Sequence, residues 1–237
     1  MPNSYFQFKQ FRIDQGETSM KVTTEGCLFG AWVARVAESP GRILDIGTGT
    51  GLLSLMLAQQ YEEAIIDAVE INVEAANQAR INFEASKWSD NLTLHHVDVQ
   101  DYQDTKKYDL VLSNPPFFKQ SLLSPVANLN LARHDNSLGQ QQLVASVNQH
   151  LAEDGSFCVL FPEREAETFR QVAEHSGLHL VRELSVFNSP GSRRFRVIGQ
   201  YQREEKELIK GAMNTRDINR EYTADFVELL KGYYLGF

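Results

Sequence analysis

The chain has 237 residues, 42% of them hydrophobic, and a formal net charge of −8. That length and composition suit one large α/β unit with a real core, and no apolar run approaches the ~20 residues of a membrane span. The negative charge argues against indiscriminate nucleic-acid binding, which depends on neutralising phosphates, yet it leaves room for a local basic face. The opening Met1-Pro2-Asn3-Ser4 lacks the basic and then apolar segments of a signal peptide. Cys27 and Cys158 fall inside apolar patterns and read as reduced core residues, so a cytoplasmic location is expected.

Residues 5–13 alternate aromatic or apolar with polar, a period-2 strand signal. Asp14-Gln15-Gly16 supplies turn chemistry, and Ser19-Met20-Lys21-Val22 reads as the returning strand of a β-hairpin. The hairpin either covers one end of the core or walls a substrate site. A helix is expected over Thr24–Val36 with Thr23 or Thr24 as N-cap, ended by Ser39-Pro40-Gly41. Then come strand Arg42–Ile46, the glycine loop Gly47–Gly51, helix Leu52–Gln60, strand Ala64–Glu70, helix Val73–Ser86 and strand Leu92–Val97. Strand Tyr108–Ser113 runs into two prolines, and residues 118–136 are irregular. A loop that long is uncommon unless functional, the alternative being a disordered connector.

Helix Leu138–Leu151, strand Gly155–Phe161 and helix Arg164–Ser176 precede two strands, Leu178–Phe187 and Phe195–Gln202. Their short link, Asn188-Ser189-Pro190-Gly191-Ser192, marks them as antiparallel neighbours. Glu204–Met213 reads as a polar, helix-like segment, and apolar residues from Tyr222 to Tyr233 recur at helical spacing. The pattern predicts an α/β fold: a seven-stranded, mostly parallel sheet with one antiparallel strand and helices on both faces. It divides into an N-terminal β-hairpin extension (1–23), the main domain (24–203) and a helical tail docked on it (204–237).

The chemistry is placed at Ser113-Asn114-Pro115-Pro116-Phe117. Each proline lacks an N–H and fixes φ, so the chain leaves the sheet at Asn114 in a stiff turn. That turn lies at a strand's carboxyl end, where open α/β sheets bind ligands. The Asn114 amide oxygen and the Pro115 carbonyl can both accept from one –NH2 group, and Phe117 offers a flat face to a ring. The substrate this implies is planar and carries an exocyclic amine. Gly47-x-Gly49-x-Gly51 follows a strand and opens a helix, but Leu52 breaks the dinucleotide fingerprint. Glu70, about 20 residues on, is placed to take two ribose hydroxyls. Asp98 ends the third strand and can receive an adenine amine, while Asp45 can orient a cationic amino acid group. His175 and His179 have a metal-like separation, but Gly177 breaks the helix between them, so no metal site is expected.

Four such features at successive strand ends resemble the Rossmann-like class I methyltransferases that use S-adenosylmethionine, over about residues 24–203. Asp45, Gly47, Gly49 and Gly51 match that class's first cofactor motif, Glu70 its ribose-binding acid and Asp98 its adenine-side acid. Asn114-Pro115-Pro116-Phe117 matches the N-P-P-[YF] motif of its amine N-methyltransferases. Phe8-Lys9-Gln10-Phe11, Met20-Lys21-Val22-x-Thr24, Ala132-Arg133 and the stretch from Tyr222-Thr223 to Tyr233-Tyr234-Leu235 resemble the bacterial tRNA1(Val) adenine-N6 methyltransferases over nearly the whole chain. Two positions depart from that pattern: Glu25 is the acid after the second Thr, and Phe117 stands in place of Tyr.

The resemblance implies methylation of adenine N6 in tRNA next to the anticodon. It implies Asn114, Pro115, Pro116 and Phe117 as the catalytic turn. The cofactor would be held by Lys21, Thr24, Asp45, Gly47, Gly49, Gly51, Glu70, Asp98 and Asn114. The substrate would meet Lys9, Phe117, Lys119 and Arg133, and Lys9, Arg12, Lys21 and Lys119 could form the RNA face. Arg193, Arg194 and Arg196 are either phosphate contacts or solvated charges. A monomer without metal is expected. A glutamine N5-methyltransferase shares the Asn-Pro-Pro chemistry but needs a helical N-terminal domain, for which residues 1–23 are too short. A non-catalytic binding module would not need the intact turn.

Overall fold

The computed structural model describes residues 3–16, 18, 21–115 and 139–237. Two short strands, Tyr5–Gln7 (β1) and Arg12–Asp14 (β2), form an antiparallel hairpin. The chain continues through Thr24–Val36 (α1), Arg42–Ile46 (β3), Leu52–Gln60 (α2), Ile65–Glu70 (β4), Val73–Glu84 (α3), Leu92–His96 (β5) and Tyr108–Ser113 (β6). It then forms Gln140–His150 (α4), Leu151–Phe161 (β7), Glu163–His175 (α5), His179–Phe187 (β8), Arg194–Gln202 (β9), Ile209–Asn214 (β10) and Ala224–Leu230 (α6).

β3 to β10 make one sheet in the order β5-β4-β3-β6-β7-β9-β8-β10. β9 runs antiparallel to both neighbours, and the other neighbouring pairs are parallel. Successive side chains of a strand point to opposite faces, and here both faces are apolar. Ile43, Ile66, Ala68, Leu110, Leu112, Cys158 and Leu160 face one layer with α1, α2, α3 and α6. Leu44, Val69, Val111, Phe157, Val159 and Phe161 face the other, with α4 and α5. Burial on both faces is why these strands read as near-continuous apolar runs. Cys27 and Cys158 are both buried and unpaired, and burial pushes the Cys27 thiol up to about 12.

Two expectations are corrected. The hairpin turns at Lys9-Gln10, not at Asp14-Gly16, and Lys21-Val22 is not a strand. Apolar parity changes there: Phe6 and Phe8 are even, Phe11 and Ile13 odd, so one extended strand would place Phe8 and Phe11 on opposite faces. Folding back at Lys9-Gln10 instead stacks their rings 4.5 Å apart. The Phe8 amide donates to the Phe11 carbonyl at 2.9 Å. Both side chains join the core beside Trp88 and the C-terminal residues, so the hairpin closes one end of that core.

The second correction is at Glu204–Met213, which is not helical. Residues 209–214 form β10, an eighth strand paired parallel to β8 from Ile209↔Arg182 to Asn214↔Phe187. Most of its side chains are exposed, so period-2 alternation never develops, and only the open edge of β8 makes it a strand.

Phe8 is fully buried, so Phe8→Ala should lower the free energy of unfolding by about 3–5 kcal/mol. Urea denaturation checks this, and a loss below about 1 kcal/mol would remove the hairpin from the core.

Candidate active site

Parallel pairing sets Ile46 opposite Val69 on one side and Ser113 on the other. The residues that follow therefore leave the sheet side by side: Gly47 from β3, Glu70 at the end of β4 and Asn114 from β6. The Ser113 hydroxyl donates to the Ile46 carbonyl at 2.9 Å, tying the base of the Asn-Pro turn to that of the glycine loop. Gly47, Gly49 and Gly51 have φ of 71°, 59° and 83°, values that L side chains adopt only with strain. A Cβ on Gly51 would also stand 2.4 Å from Phe83 Cε1, whereas one on Gly47 would meet nothing within 4 Å. The loop thus packs closely on α3 at one end and stays open at the other.

Asp45 is fully buried beneath the loop. Its Oδ2 accepts from Thr48 Oγ1 and Ser54 Oγ, both at 2.7 Å. Oδ1 is equally buried and has no partner among the described residues. Burial pushes the carboxyl up to about 6, partly offset by the two hydroxyls. An unpartnered buried acceptor is costly, and a cationic amine would satisfy it.

Glu70 accepts from the Gly49 amide through Oε2 and from the Asn72 amide through Oε1, each at 2.9 Å. It therefore shapes the loop itself. An ionised carboxylate has about four lone-pair sites, so acceptor capacity remains for two ribose hydroxyls. The Val97 amide donates to the Glu70 carbonyl at 3.1 Å, setting Asp98 beside this edge. Asp98 is half-buried and accepts from the Gln100 amide at 2.9 Å. Asp45, the three glycines, Glu70, Asp98, Asn114 and the buried Pro115 therefore share the carboxyl edge of the sheet.

Asn114 is half-buried, and its side chain makes no hydrogen bond among the described residues. Its Nδ2 lies 3.8 Å from where a Cβ on Gly26 would stand, so the amide abuts the first turn of α1. That turn is fixed by Thr23, whose Oγ1 accepts from the Gly26 amide at 3.1 Å. Thr24 opens the helix and is exposed. Lys21 Nζ donates to the Gln15 carbonyl. Lys9 Nζ donates to the carbonyls of Lys231 at 2.6 Å and Phe237 at 2.8 Å, and so holds the C-terminal segment against the hairpin. Arg12 pairs with Asp14, Arg194 with Glu163, Glu167 and Glu183, and Arg196 with Glu25. Arg193 is exposed. Pro116, Phe117, Lys119 and Arg133 lie outside the described residues, as does the 118–136 segment. Among the described residues no group of His, Cys, Asp or Glu is arranged to hold a metal ion.

Sequence reasoning passed over several supports. Thr48 and Ser54 orient Asp45. Asn82 Nδ2 donates to the Thr50 carbonyl at 2.8 Å and the Asp14 carbonyl at 2.9 Å, joining the glycine loop to the hairpin. Gln78 and Asn82 are polar residues one helical turn apart on the buried side of α3. That spacing was the available signal.

A mostly parallel sheet whose carboxyl edge gathers a glycine loop, an acid at the next strand end and an Asn-Pro turn has the layout of a methyltransferase, and residues 31–175 match the family model of the methyltransferase small domain. A tRNA1(Val) (adenine(37)-N6)-methyltransferase of Dyadobacter fermentans is 40% identical over 99% of both chains, and one of Cytophaga hutchinsonii 41% identical over the same shares. The chain belongs to the tRNA1(Val) (adenine(37)-N6)-methyltransferase family. The crystal structure of a predicted O-methyltransferase from Agrobacterium tumefaciens shares the fold, with a TM-score of 0.67 at 16% identity, covering 87% of this chain and 95% of that one. The cofactor of this class is S-adenosylmethionine, and the unpartnered Asp45 Oδ1, the open Gly47 and the remaining acceptors of Glu70 fit it.

Two outcomes test this half of the site. Gly47→Ala should fold, with a positive-φ penalty of about 1–2 kcal/mol, yet lose most affinity for S-adenosylmethionine. Gly51→Ala should be less stable still, because its methyl collides with Phe83. Equal stability of the two in urea would contradict the packing described.

The second test is pH. The Asp45 carboxyl titrates near 6 in the folded protein, against 3.8 for an ordinary aspartate, so the native state holds its proton longer than the unfolded chain. This group alone therefore makes stability fall as pH rises from 3.8 to about 6, and adds no slope above. A carboxylate that is to accept from a cationic amine must be ionised. Cofactor affinity measured by calorimetry should fall below about pH 6, by up to about tenfold per unit, and Asp45→Asn should abolish that dependence.

Proposed function

We propose that this chain methylates N6 of adenine in tRNA, at position 37 beside the anticodon of tRNA1(Val), acting as a cytoplasmic monomer. The observation that carries the reading is Asn114: a half-buried amide with no hydrogen bond among the described residues, level with the glycine loop through the Ser113–Ile46 bond. The relatives named for this activity align along nearly the whole chain, and the hairpin and C-terminal segment belong to that alignment as much as the sheet does.

S-adenosylmethionine supplies the methyl group as an electrophile on a positively charged sulfur. Asp45 and Glu70 hold and orient its polar ends, and the glycine loop lets the backbone approach it. On the acceptor side, Asn114 Oδ1 and the Pro115 carbonyl accept the two amine hydrogens. The adenine amine is a poor nucleophile because its lone pair is delocalised into the ring. Two acceptors on its hydrogens would favour a tetrahedral nitrogen, with its lone pair freed from the ring for attack on an electrophilic methyl group. The surplus proton on the methylated, cationic amine passes to solvent water after transfer, so the turn needs no strong base, and orientation with electrostatic placement provides the rate. Stacking on an aromatic such as Phe117 would contribute roughly 1–3 kcal/mol toward the few kcal/mol needed to turn an adenine out of its stack.

Asn114→Ala should fold and bind tRNA normally while single-turnover methylation falls by about 10²–10³, the scale for losing one preorganised polar contact. Asn114→Asp keeps the acceptor oxygen and should retain part of what Ala loses. The assay is nucleoside mass spectrometry on tRNA from a strain lacking the modification. A wild-type rate for Asn114→Ala would place the chemistry elsewhere.

A further inference from the structure

A second cavity, about 190 Å3, opens on the same carboxyl edge, on the other side of the first turn of α1. Thr24, Glu25, Phe195, Arg196, Arg216 and Tyr222 stand around its mouth, over an apolar floor. It lies below the roughly 300–1,000 Å3 of pockets for drug-sized ligands, so it suits one planar group. Neither Asn114, Pro115, the glycine loop nor Glu70 lines it, so an amine seated here would not be at the Asn-Pro turn. Yet Glu25 is next in sequence to Gly26, which abuts Asn114. The cavity is therefore one residue step of α1 from the proposed transfer site.

Its chemistry is that of a base platform. The Arg216 guanidinium carbon lies 4.1 Å from the centroid of the Tyr222 ring. Tyr222 in turn stacks on Phe226 at 4.8 Å and 12°, and Phe226 is fully buried. Three flat groups thus form a column that rises from the core and ends in an exposed guanidinium.

The top tier is held. Arg216 Nη1 donates to the Arg220 carbonyl at 2.6 Å, and the Arg216 amide donates to the Asn188 carbonyl at 3.0 Å. The 215–223 loop is itself braced. Arg216 and Tyr222 form an antiparallel bridge, and Asp217 Oδ1 accepts from the Asn219 and Glu221 amides. Guanidinium planes and aromatic rings are what splayed RNA bases stack on. With two guanidiniums, Arg196 and Arg216, against one carboxylate, Glu25, the mouth is also net positive, as a site threaded by a phosphate backbone requires.

Resting on the RNA substrate proposed above, we infer that this cavity receives the nucleobase adjacent in the strand to the methylated adenine, with Arg216 as its stacking plane. Turning one base out of an anticodon loop unstacks its neighbour. A second platform one step away holds that neighbour and fixes which adenine reaches Asn114.

The test uses the full chain and a synthetic RNA hairpin carrying the target adenosine, with affinity read by fluorescence anisotropy. Arg216→Ala should weaken hairpin binding about tenfold, within the range of one stacked base, without changing S-adenosylmethionine affinity or melting temperature. Arg216→Lys keeps the charge and the salt slope but not the plane, and should stay within about threefold of the Ala variant. Making one neighbour of the target abasic should cost the wild type about tenfold and Arg216→Ala nothing more, since the two losses remove the same contact.

Rescue by Arg216→Lys would make this a phosphate contact and overturn the inference. So would additive losses at both neighbours, coupling to the target base itself, or no effect of Arg216→Ala. Methylation of the hairpin by the wild type is scored separately. Its absence would count against the proposed function, whatever Arg216 does.

Discussion

The register of three parallel strands governs this molecule. Ile46 faces Val69 across one ladder and Ser113 across the other, so the segments beyond them emerge at one height. Parallel ladders have no hairpin to fix them and depend on side-chain packing for their register, because a one-residue slip would turn every apolar side chain to the wrong face. Here both faces are covered by helices. A slip would exchange the sets around Ile43, Ile66 and Leu110 and around Leu44, Val69 and Val111, two packed clusters of different shape. The hydrophobic core thereby holds Asp45, Glu70 and Asn114 in relation to one another with no hydrogen bond among the three.

Above that edge, the protein keeps polar groups where they are expensive. Asp45 is fully buried with one oxygen unpartnered among the described residues, and the amide of Asn114 is half-buried without a hydrogen bond among them. The first conflicts with the tendency of buried polar atoms to be satisfied. Such conflicts concentrate where a ligand completes the set. Their surroundings are satisfied: Glu70 ties Gly49 to Asn72, Thr48 and Ser54 hold the other oxygen of Asp45, and Asn82 joins the glycine loop to the N-terminal hairpin. The hairpin and α3 thus brace the loop, while the hairpin and the C-terminal segment close the core.

The first turn of α1 divides this edge in two. Gly26 abuts Asn114 on one side, and Glu25 pairs with Arg196 on the other. A glycine and an acid adjacent in a capped helical turn point in different directions, so one rigid element borders both the proposed transfer site and the neighbouring cavity. The column of Phe226, Tyr222 and Arg216 comes from the far end of the chain, and β10 carries it there by adding to the open edge of β8.

The linear sequence determined the parts whose signals are local. Glycines at 47, 49 and 51 after an apolar strand, an acid at the end of the next strand and two prolines after Asn114 state their backbone requirements within a few residues. The alternation of β and α elements likewise fixed a parallel sheet with helices on both faces, and the Pro-Gly link fixed its reversed pair. What only the tertiary structure decided depends on partners distant in sequence. β10 is a strand because β8 has a free edge. The hairpin turns at Lys9-Gln10 because Phe8 and Phe11 must enter one core together, a requirement visible only as a change of parity. Lys9 holds the C-terminal segment 222 and 228 residues away, and Arg216 lies flat because Tyr222 rests on Phe226. Periodicity reports which face of an element is buried, but not against what, and at these positions the partner decides the conformation.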